Sequence, residues 1–377
     1  MRFKKGLAAA IVAAFVMLPF CAVAAQAQKG LEIGIEDDFV LTGSYYNPSK
    51  LLNTSEKLKT AYVRVMVLWA DVRGANARSR KVPKHRHYDF RIFDGIWIRA
   101  SQQRHILLQF TLTGPFPAWA SATHRKGPTP NRKAYKYFKE FAGQLAAHFK
   151  GRVHRYGIWN EPNFISWLGP QSRAESEYRS LYQAGYSAIK AQDPADEVLI
   201  GETSPYAERG RAIAPLTFLA GVLGHGRYHL KADGYAHHPY DFNHSPTYRY
   251  PGGANVTIGT LGRLRNALVH WANVGALTTP TGGVPDEFLT EYGYLSSGHL
   301  RIKDKKHAKY LVKGFQIALS NPYVDEVVQY TMVPPHGRYK FFDMSILTSR
   351  GKPRPPFTAL AKWAQNAARQ GLIEVLY

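Results

Sequence analysis

The chain has 377 residues, of which 45% are hydrophobic, so it can bury a large core as one α/β barrel or as two smaller domains. Its formal net charge of +22 favours polyanionic partners such as acidic cell-wall polymers, acidic polysaccharides or anionic lipid surfaces. No recognition-helix, zinc-finger or aromatic RNA-binding motif accompanies this charge, so no specific nucleic-acid partner is expected. We interpret most of the charge as a solvated basic surface.

The first residues have the pattern of a secretory signal peptide. A basic start is followed by a long apolar run and by the small-residue sequence Ala-Gln-Ala at positions 25–27. We therefore predict a signal peptide over residues 1–27, export from the cytoplasm, and a single catalytic domain over residues 28–377. A retained membrane anchor is the weaker alternative, and no transmembrane segment is expected after the signal is removed.

Cysteine usage narrows the chemistry of the exported chain. Cys21 is the one cysteine, and it lies within the predicted signal peptide. Lipidation of this residue is disfavoured because the preceding Leu-Pro-Phe lacks the small residues expected there. The remaining chain would therefore contain no disulfide, thiolate metal site or cysteine nucleophile, and its core alone would hold it together.

From about residue 31 the sequence alternates short β-like runs with longer helical ones, which is the pattern of a parallel barrel. We predict class α/β with a (β/α)8 TIM barrel. A helix is indicated by the apolar spacing of Tyr135, Phe138, Phe141, Leu145 and Phe149, whose rings we assign to core packing. The predicted strands lie at 31–36, 61–68, 105–111, 197–202, 287–291 and 326–332, with two others leading into residues 161 and 237–240.

Two glutamates follow strand-like runs in similar contexts. Glu161 lies in Trp-Asn-Glu-Pro-Asn, where Pro162 prevents the strand from continuing, and Glu291 lies in Thr-Glu-Tyr-Gly. Two carboxylates at the ends of separate strands are what glycosidic bond cleavage requires. One protonates the leaving oxygen, and the other attacks the anomeric carbon.

These two motifs resemble those of the clan A glycoside hydrolases, which are (β/α)8 barrels with the acid/base on strand 4 and the nucleophile on strand 7. The resemblance implies a retaining glycosidase that acts on a carbohydrate without a cofactor. It further implies that Glu161 is the acid/base, that Glu291 is the nucleophile, and that Asn160 bonds the 2-hydroxyl of the reacting sugar.

Other motifs resemble supporting residues of the same enzymes. Arg64 lies in a Val-Arg-x-x-Val run like that on strand 2 of family 5, whose arginine supports the nucleophile, although a core ion pair would also explain it. His238 and Tyr240 form a His-x-Tyr sequence like that on strand 6. The resemblance implies a histidine at the sugar site and a phenol that bonds the nucleophilic carboxylate.

Aromatic residues and a third carboxylate leave alternatives open. Trp119 follows a Pro-rich loop that resembles a Thr-Pro-x-Trp segment, and it either offers sugars a flat apolar face or caps the core. Family 5 usually has a tryptophan at the end of strand 8. Either Tyr330 takes its place, or the chain belongs to a neighbouring family such as family 39 or family 30. Glu202 either binds substrate or pairs with Arg209 or Arg211.

Two histidine pairs raise the question of a metal. Neither His237-His238 nor His85 and His87 has a carboxylate at the spacing of a known zinc motif, so no metal is expected. Two other function classes remain as alternatives. One is a non-catalytic carbohydrate-binding barrel at the cell surface, which would not need both glutamates, and the other is a metal-dependent hydrolase.

Overall fold

The computed structural model describes residues 30–43, 45–337, 340 and 342–376. Within these residues eight parallel strands close into a barrel and a main helix follows each strand, which confirms the predicted (β/α)8 architecture. The predicted signal peptide lies outside the described residues. The strands β1 to β8 are Glu32–Glu36, Tyr62–Leu68, Leu107–Thr113, Arg155–Ile158, Glu197–Thr203, Gly234–His237, Asp286–Tyr292 and Val324–Tyr330.

The main helices lie outside the barrel. In the described part of the chain, none of them combines the length and apolar content needed to cross a membrane. The helices α1 to α8 are Pro48–Ser55, Arg91–Trp97, Ala134–Phe149, Ala174–Lys190, Pro215–Val222, Gly262–Asn273, Asp304–Leu319 and Pro355–Arg369.

Most of the predicted strands coincide with the observed ones, but the third begins later than expected. The sequence predicted a strand over 105–111, whereas β3 covers Leu107–Thr113. His105 has φ 57°, in the left-handed region that an extended strand cannot accommodate. The strand therefore begins only after this turn.

Helix α3 illustrates how the outer layer packs on the barrel. Four residues of its predicted apolar face, Phe138, Phe141, Leu145 and Phe149, are buried, and Tyr135 is half-buried. The ring of Phe141 stacks 5.8 Å from that of Trp69, and the ring of Phe149 meets Phe110 of β3 edge-on at 4.9 Å. This confirms that the aromatic residues of α3 are core residues.

A buried aspartate joins the first and last strands where the barrel closes. Asp37 directly follows β1, and its Oδ2 accepts hydrogen bonds from the backbone N–H groups of Met332 (3.0 Å) and Val333 (2.9 Å) just beyond β8. Burial raises the pKa of Asp37 to about 7, although these backbone donors oppose the shift. The contact fixes the chain on the carboxyl side of both strands.

A buried arginine fills the amino-terminal end of the barrel. Arg155 donates to Glu32 Oε2 and to Glu197 Oε2, both at 2.7 Å, and lies 3.6 Å from Glu326 Oε1. Two aromatic rings lie 4.0 and 4.7 Å from its guanidinium carbon. Burial raises the pKa of Glu326 to about 8 even though Arg155 opposes this shift. The end of the barrel away from the glutamate motifs is thus held by one charged cluster.

We predict that Arg155→Met lowers the free energy of unfolding by ~3–5 kcal/mol, because it leaves buried carboxylates without their cation. Arg91→Met is the matched control, since the Arg91 side chain is 77% exposed and paired with Asp89 on the surface. Urea unfolding, followed by circular dichroism, measures the free energy of unfolding of the two variants. Equal midpoints for the two variants would contradict a structural role for this cluster.

Candidate active site

The two glutamates of the motifs meet at the carboxyl-terminal mouth of the barrel. Glu291 is the next-to-last residue of β7, whereas Glu161 lies three residues beyond β4, after a turn in which Trp159 has φ 68°. The prediction that Glu161 ends the strand was therefore wrong. A carboxylate oxygen of Glu161 lies within 4.8 Å of one of Glu291, and neither side chain is fully enclosed, at 16% and 6% exposed.

Arg64 links the site residues from inside the barrel. Its side chain is fully buried, and it donates to Glu291 Oε1 at 2.8 Å, Asn160 Oδ1 at 2.9 Å and Glu202 Oε2 at 3.0 Å. It also bonds Glu36, the last residue of β1. The two alternatives for Arg64 are therefore not exclusive, because this core ion cluster contains Glu291 itself.

His238 lies between three carboxylates. Its Nδ1 is 3.3 Å from Glu161 Oε1 and 3.6 Å from Glu291 Oε2, and its Nε2 is 3.1 Å from Glu202 Oε2. Burial alone would lower the pKa of His238, but the surrounding carboxylates raise it to about 10. The imidazole is therefore cationic at neutral pH and donates from both nitrogens.

Glu291 is held at both carboxylate oxygens. Arg64 donates to Oε1, and the hydroxyl of Tyr240 donates to Oε2 at 2.9 Å. Burial raises the pKa of Glu291 to about 7, and the nearby negative charges of Glu36 and Glu161 add to this effect. The cations His238 and Arg64 limit the shift. The carboxylate is thus fixed in orientation and titrates close to neutrality.

Glu202 is a site residue whose role the sequence left open. It is fully buried in β5 and accepts from Arg64, from His238 and from Thr290 Oγ1 at 2.8 Å. Burial raises its pKa, but these cations and donors outweigh burial and lower the pKa to about 2. The proposed pairing with Arg209 or Arg211 is wrong, since Arg211 pairs with Glu208 on the surface.

Sequence reasoning also missed polar residues whose side chains point into the barrel. Glu36 ends β1 beside Arg64, and Thr111 Oγ1 of β3 donates to Glu202 Oε1 at 3.0 Å. Thr113 accepts the backbone N–H of Asn160 at 2.9 Å. Alternate residues of a strand share one face. The positions of Thr111 and Thr113, two residues apart in an apolar run, could therefore have indicated a polar face inside the barrel.

Trp119 does not reach the site. Its side chain is only 2% exposed, its ring packs edge-on against Trp69 at 5.5 Å, and its Nε1 donates to Ala75 O at 2.8 Å. Of the two alternatives for Trp119, the structure supports packing and contradicts a sugar platform. The physical reason is that the loop after β3 folds back on the loop after β2.

Tyr330 ends β8 beside the site, in an aromatic cluster with Tyr240. Its ring lies 5.7 Å from Phe342, which in turn lies 5.9 Å from the ring of Tyr240. Phe242 stacks on Tyr240 at 5.2 Å. Phe242 and Phe342 are only partly buried. We call these four residues the aromatic wall, since they form one apolar side next to Glu291.

The two histidines of the His237-His238 pair have different surroundings in the structure, whereas the rings of His85 and His87 stack 6.4 Å apart. His237 is buried away from the carboxylates, with Nδ1 2.9 Å from Thr203 Oγ1 and Nε2 3.1 Å from Val256 O. In the described ranges, one group has the spacing to hold an ion, namely Glu161, His238 and Glu291. A metal there would face the cationic Arg64, which already bonds Glu291. This arrangement disfavours a metal centre.

Comparisons with known proteins bear on this geometry. No model of a known protein family matches the sequence, and no curated protein sequence does so either. Solved structures do match it. A family 39 glycoside hydrolase from Bacteroides cellulosilyticus WH2 aligns with TM-score 0.64 and 19% identity over 89% of this chain and 64% of that one. The shared fold is the (β/α)8 barrel.

Two further clan A structures align over similar lengths. A GH39 β-xylosidase from Caulobacter crescentus has TM-score 0.59 and 17% identity, covering 90% of this chain and 71% of that one. A GH5_18 protein from Streptomyces cattleya, solved with GlcNAc, has TM-score 0.60 and 14% identity, covering 91% and 81%. The chain thus spans less than two thirds of the Bacteroides protein. These matches show the fold of the chain.

We predict that Gly157→Ala disrupts the candidate site from below. A Cβ on Gly157 would lie 2.0 Å from Glu202 Oε1, and this carboxylate cannot move away because Arg64, His238 and Thr290 hold it. Overpacking of this kind costs ~1–3 kcal/mol of unfolding free energy.

Gly262→Ala at the start of α6 is the control for this substitution, since its Cβ would meet nothing within 4 Å. Thermal unfolding compares the two variants. A midpoint for Gly157→Ala as high as that of the control would contradict the tight fit beneath Glu202.

Proposed function

We propose that the protein is a retaining glycoside hydrolase that cleaves O-glycosidic bonds of an oligo- or polysaccharide by double displacement. The single observation that carries this proposal is that a carboxylate oxygen of Glu161 lies within 4.8 Å of one of Glu291 at the carboxyl end of the barrel. Retaining enzymes place their two carboxyl groups about 5–5.5 Å apart, whereas inverting enzymes leave about 6.5–9.5 Å for a water molecule. Nearest oxygens within 4.8 Å of each other are compatible with the retaining arrangement.

In the first step Glu291 attacks the anomeric carbon while Glu161 gives its proton to the leaving oxygen. The C–O bond to the leaving group breaks as the C–O bond to Glu291 forms, and the product is a covalent glycosyl ester. In the second step Glu161 takes a proton from water, which displaces Glu291 and releases the sugar with retained configuration. Glu161 suits the first contact with the leaving group because it is the more exposed of the two.

The surroundings of Glu291 support its role as the nucleophile. Arg64 and Tyr240 bond one oxygen each, so the carboxylate is oriented before substrate arrives. His238 brings a positive charge to within 3.6 Å, which favours the ionised form. As Glu291 loses its charge on forming the ester, the field around Glu161 changes, and Glu161 can then act as a base.

Asn160 and the aromatic wall supply the substrate contacts in this proposal. Arg64 occupies the Asn160 carbonyl oxygen, which leaves the amide N–H groups to donate to the 2-hydroxyl of the reacting sugar. That hydrogen bond strengthens as the oxocarbenium-like state develops. Phe242 and Phe342, the partly buried residues of the aromatic wall, offer an apolar face to the C–H groups of the sugar ring. Tyr330, which ends β8 next to Phe342, would take the position of the strand 8 tryptophan of family 5.

Export forms a further part of the proposal. The basic and apolar start of the sequence, followed by Ala-Gln-Ala, supports a cleaved signal peptide and an extracytoplasmic enzyme.

We predict that Glu291→Gly abolishes turnover of 4-nitrophenyl glycosides and that azide partly restores it, giving a glycosyl azide of inverted configuration. Glu161→Ala should lower turnover by about 10²–10⁴-fold on substrates that need protonation, because no donor remains for the leaving group. In that variant azide should yield a glycosyl azide of retained configuration. NMR of the azide products distinguishes the two roles.

Glu208→Ala is the control for these two variants, because Glu208 pairs with Arg211 on the surface and should leave turnover unchanged. Binding of sugars by the wild-type protein without turnover on any glycoside would favour the non-catalytic alternative.

A further prediction concerns the pH dependence of catalysis. Because the pKa of Glu291 is raised to about 7, its reactive ionised form is lost as the pH falls below that value. For an activated aryl glycoside, whose leaving group needs no proton from Glu161, we expect kcat/KM to rise with pH through about 7. Tyr240→Phe removes a donor that stabilises the ionised carboxylate, so this rise should move to higher pH. A pH profile of Tyr240→Phe that is unshifted, or shifted to lower pH, would exclude this role for the phenol.

A further inference from the structure

Two neighbouring loops carry an unusual excess of positive charge. The first joins β2 to α2 and covers residues 69–90, and the second joins β3 to α3 and covers residues 114–133. The sequence contains no acidic residue between Asp71 and Asp89, and none between Asp94 and Glu140. We call these two loops the basic rim.

The two loops pack as one surface. The backbone N–H of Ala118 donates to Ala77 O at 2.8 Å, and the buried ring of Trp119 donates to Ala75 O at 2.8 Å. Lys126 forms an ion pair with Asp71 across the same boundary. The charges of both loops therefore keep a fixed arrangement relative to each other.

The basic rim adjoins the catalytic mouth. Both loops start at the carboxyl ends of their strands, the edge of the barrel that also carries the two glutamates. The ring of Phe116 lies 4.6 Å from that of Trp159, and a Cβ on Gly114 would lie 2.7 Å from the same ring. Trp159 precedes Glu161 by two residues. The rim is thus continuous with the acid/base side of the site.

Most of the positive charge on the rim is uncompensated. The acidic residues at its edges are already paired: Asp71 with Lys126, Asp89 with Arg91, and Glu140 with Arg86. Arg78, Arg80, Arg125 and Arg132 are exposed, and in the described part of the chain none of them pairs with a carboxylate. Such a cluster attracts a polyanion, and it loses self-repulsion when one binds.

We propose that the basic rim binds an anionic polysaccharide, a polymer containing uronic acids, and guides it into the cleft as substrate. This proposal rests on the proposed glycosidase function, because it names the substrate class of that site. Each guanidinium can take a sugar carboxylate in a two-point hydrogen bond, so unpaired arginines suit a chain of regularly spaced carboxylates.

Two other polyanions fit the rim less well. Single-stranded nucleic acid needs aromatic faces for base stacking, but Phe116 and Trp119 are buried. An anionic membrane surface is usually held by apolar side chains as well as by charge. In the described residues of these two loops, no large hydrophobic side chain is exposed. A carbohydrate polyanion requires neither feature.

The test compares two variants with the same loss of charge. The rim variant replaces Arg78, Arg80, Arg125 and Arg132 with Gln. The control variant replaces four exposed lysines of the outer helices α7 and α8 with Gln, namely Lys305, Lys309, Lys313 and Lys362. Binding and hydrolysis are measured with polygalacturonate, alginate and hyaluronan, and with xylan and mixed-linkage β-glucan as neutral polymers. Double-stranded DNA, single-stranded DNA and phosphatidylserine vesicles complete the panel.

We expect the rim variant to bind at least one uronate polymer about tenfold more weakly than wild type at 50 mM NaCl, with the control within about twofold. At 0.5 M NaCl the difference should disappear, because salt screens exposed charges. KM for the hydrolysed uronate polymer should rise in the rim variant while kcat stays unchanged. Turnover of the best small aryl glycoside should be equal in all three proteins.

Three outcomes would overturn the proposal. They are equal weakening in both variants, hydrolysis of neutral polymers alone, and tighter binding of DNA or vesicles than of every uronate polymer. The aryl-glycoside assay distinguishes failure of the uronate proposal from failure of the proposed glycosidase function. Turnover of an aryl glycoside without uronate binding rejects the substrate class alone, whereas no turnover of any glycoside rejects the glycosidase itself.

Discussion

The buried guanidinium of Arg64 is the interaction on which the catalytic end of the barrel depends. It bonds side chains from β1, β3, β5 and β7 and the segment after β4, so it ties together strands that are distant in sequence. An isolated arginine could not be buried at this depth, because the loss of hydration would exceed any packing gain. The carboxylates around Arg64 can likewise be buried only because its positive charge offsets theirs. The site therefore forms as a unit.

The balance of charge around Arg64 explains why proton chemistry is available at neutral pH. Glu36, Glu161, Glu202 and Glu291 surround two cations, Arg64 and His238. Carboxyl groups in excess of cations cannot all stay ionised in a region of low dielectric constant. Glu202 has the most donors and keeps its charge, whereas the pKa of Glu291 rises to about 7 and that of Glu36 rises well above its usual range. The number of donors around each carboxylate thus separates Glu202, which stays ionised, from Glu291, which titrates close to neutrality.

Much of this arrangement could be predicted from the sequence, because local patterns encode strands and the ends of strands. The alternation of strands and helices predicted the barrel, and Glu161 and Glu291 were found because each follows a strand-like run, although Glu161 lies three residues beyond the end of β4. The partners of Glu202 were missed since they come from β2, β3, β7 and the residue after β6, and only the closed barrel brings them together. Trp119 was ambiguous because a tryptophan beside a Pro-rich loop suits a sugar face and a core equally well. Loop packing, which no local pattern encodes, decided between them.

The burial of Trp119 also constrains how this barrel can recognise a polymer. A tryptophan that bonds Ala75 and packs on Trp69 makes two loops rigid, but it no longer offers a face to a sugar. Apolar contact is left to the aromatic wall beside Glu291, on the opposite side of the mouth from β2 and β3 in strand order. Recognition on the side of β2 and β3 then has to rely on the polar and charged groups that these loops expose. Because the charged residues of these loops are mostly arginine and lysine, that side suits the negatively charged sugar chain that we propose as substrate.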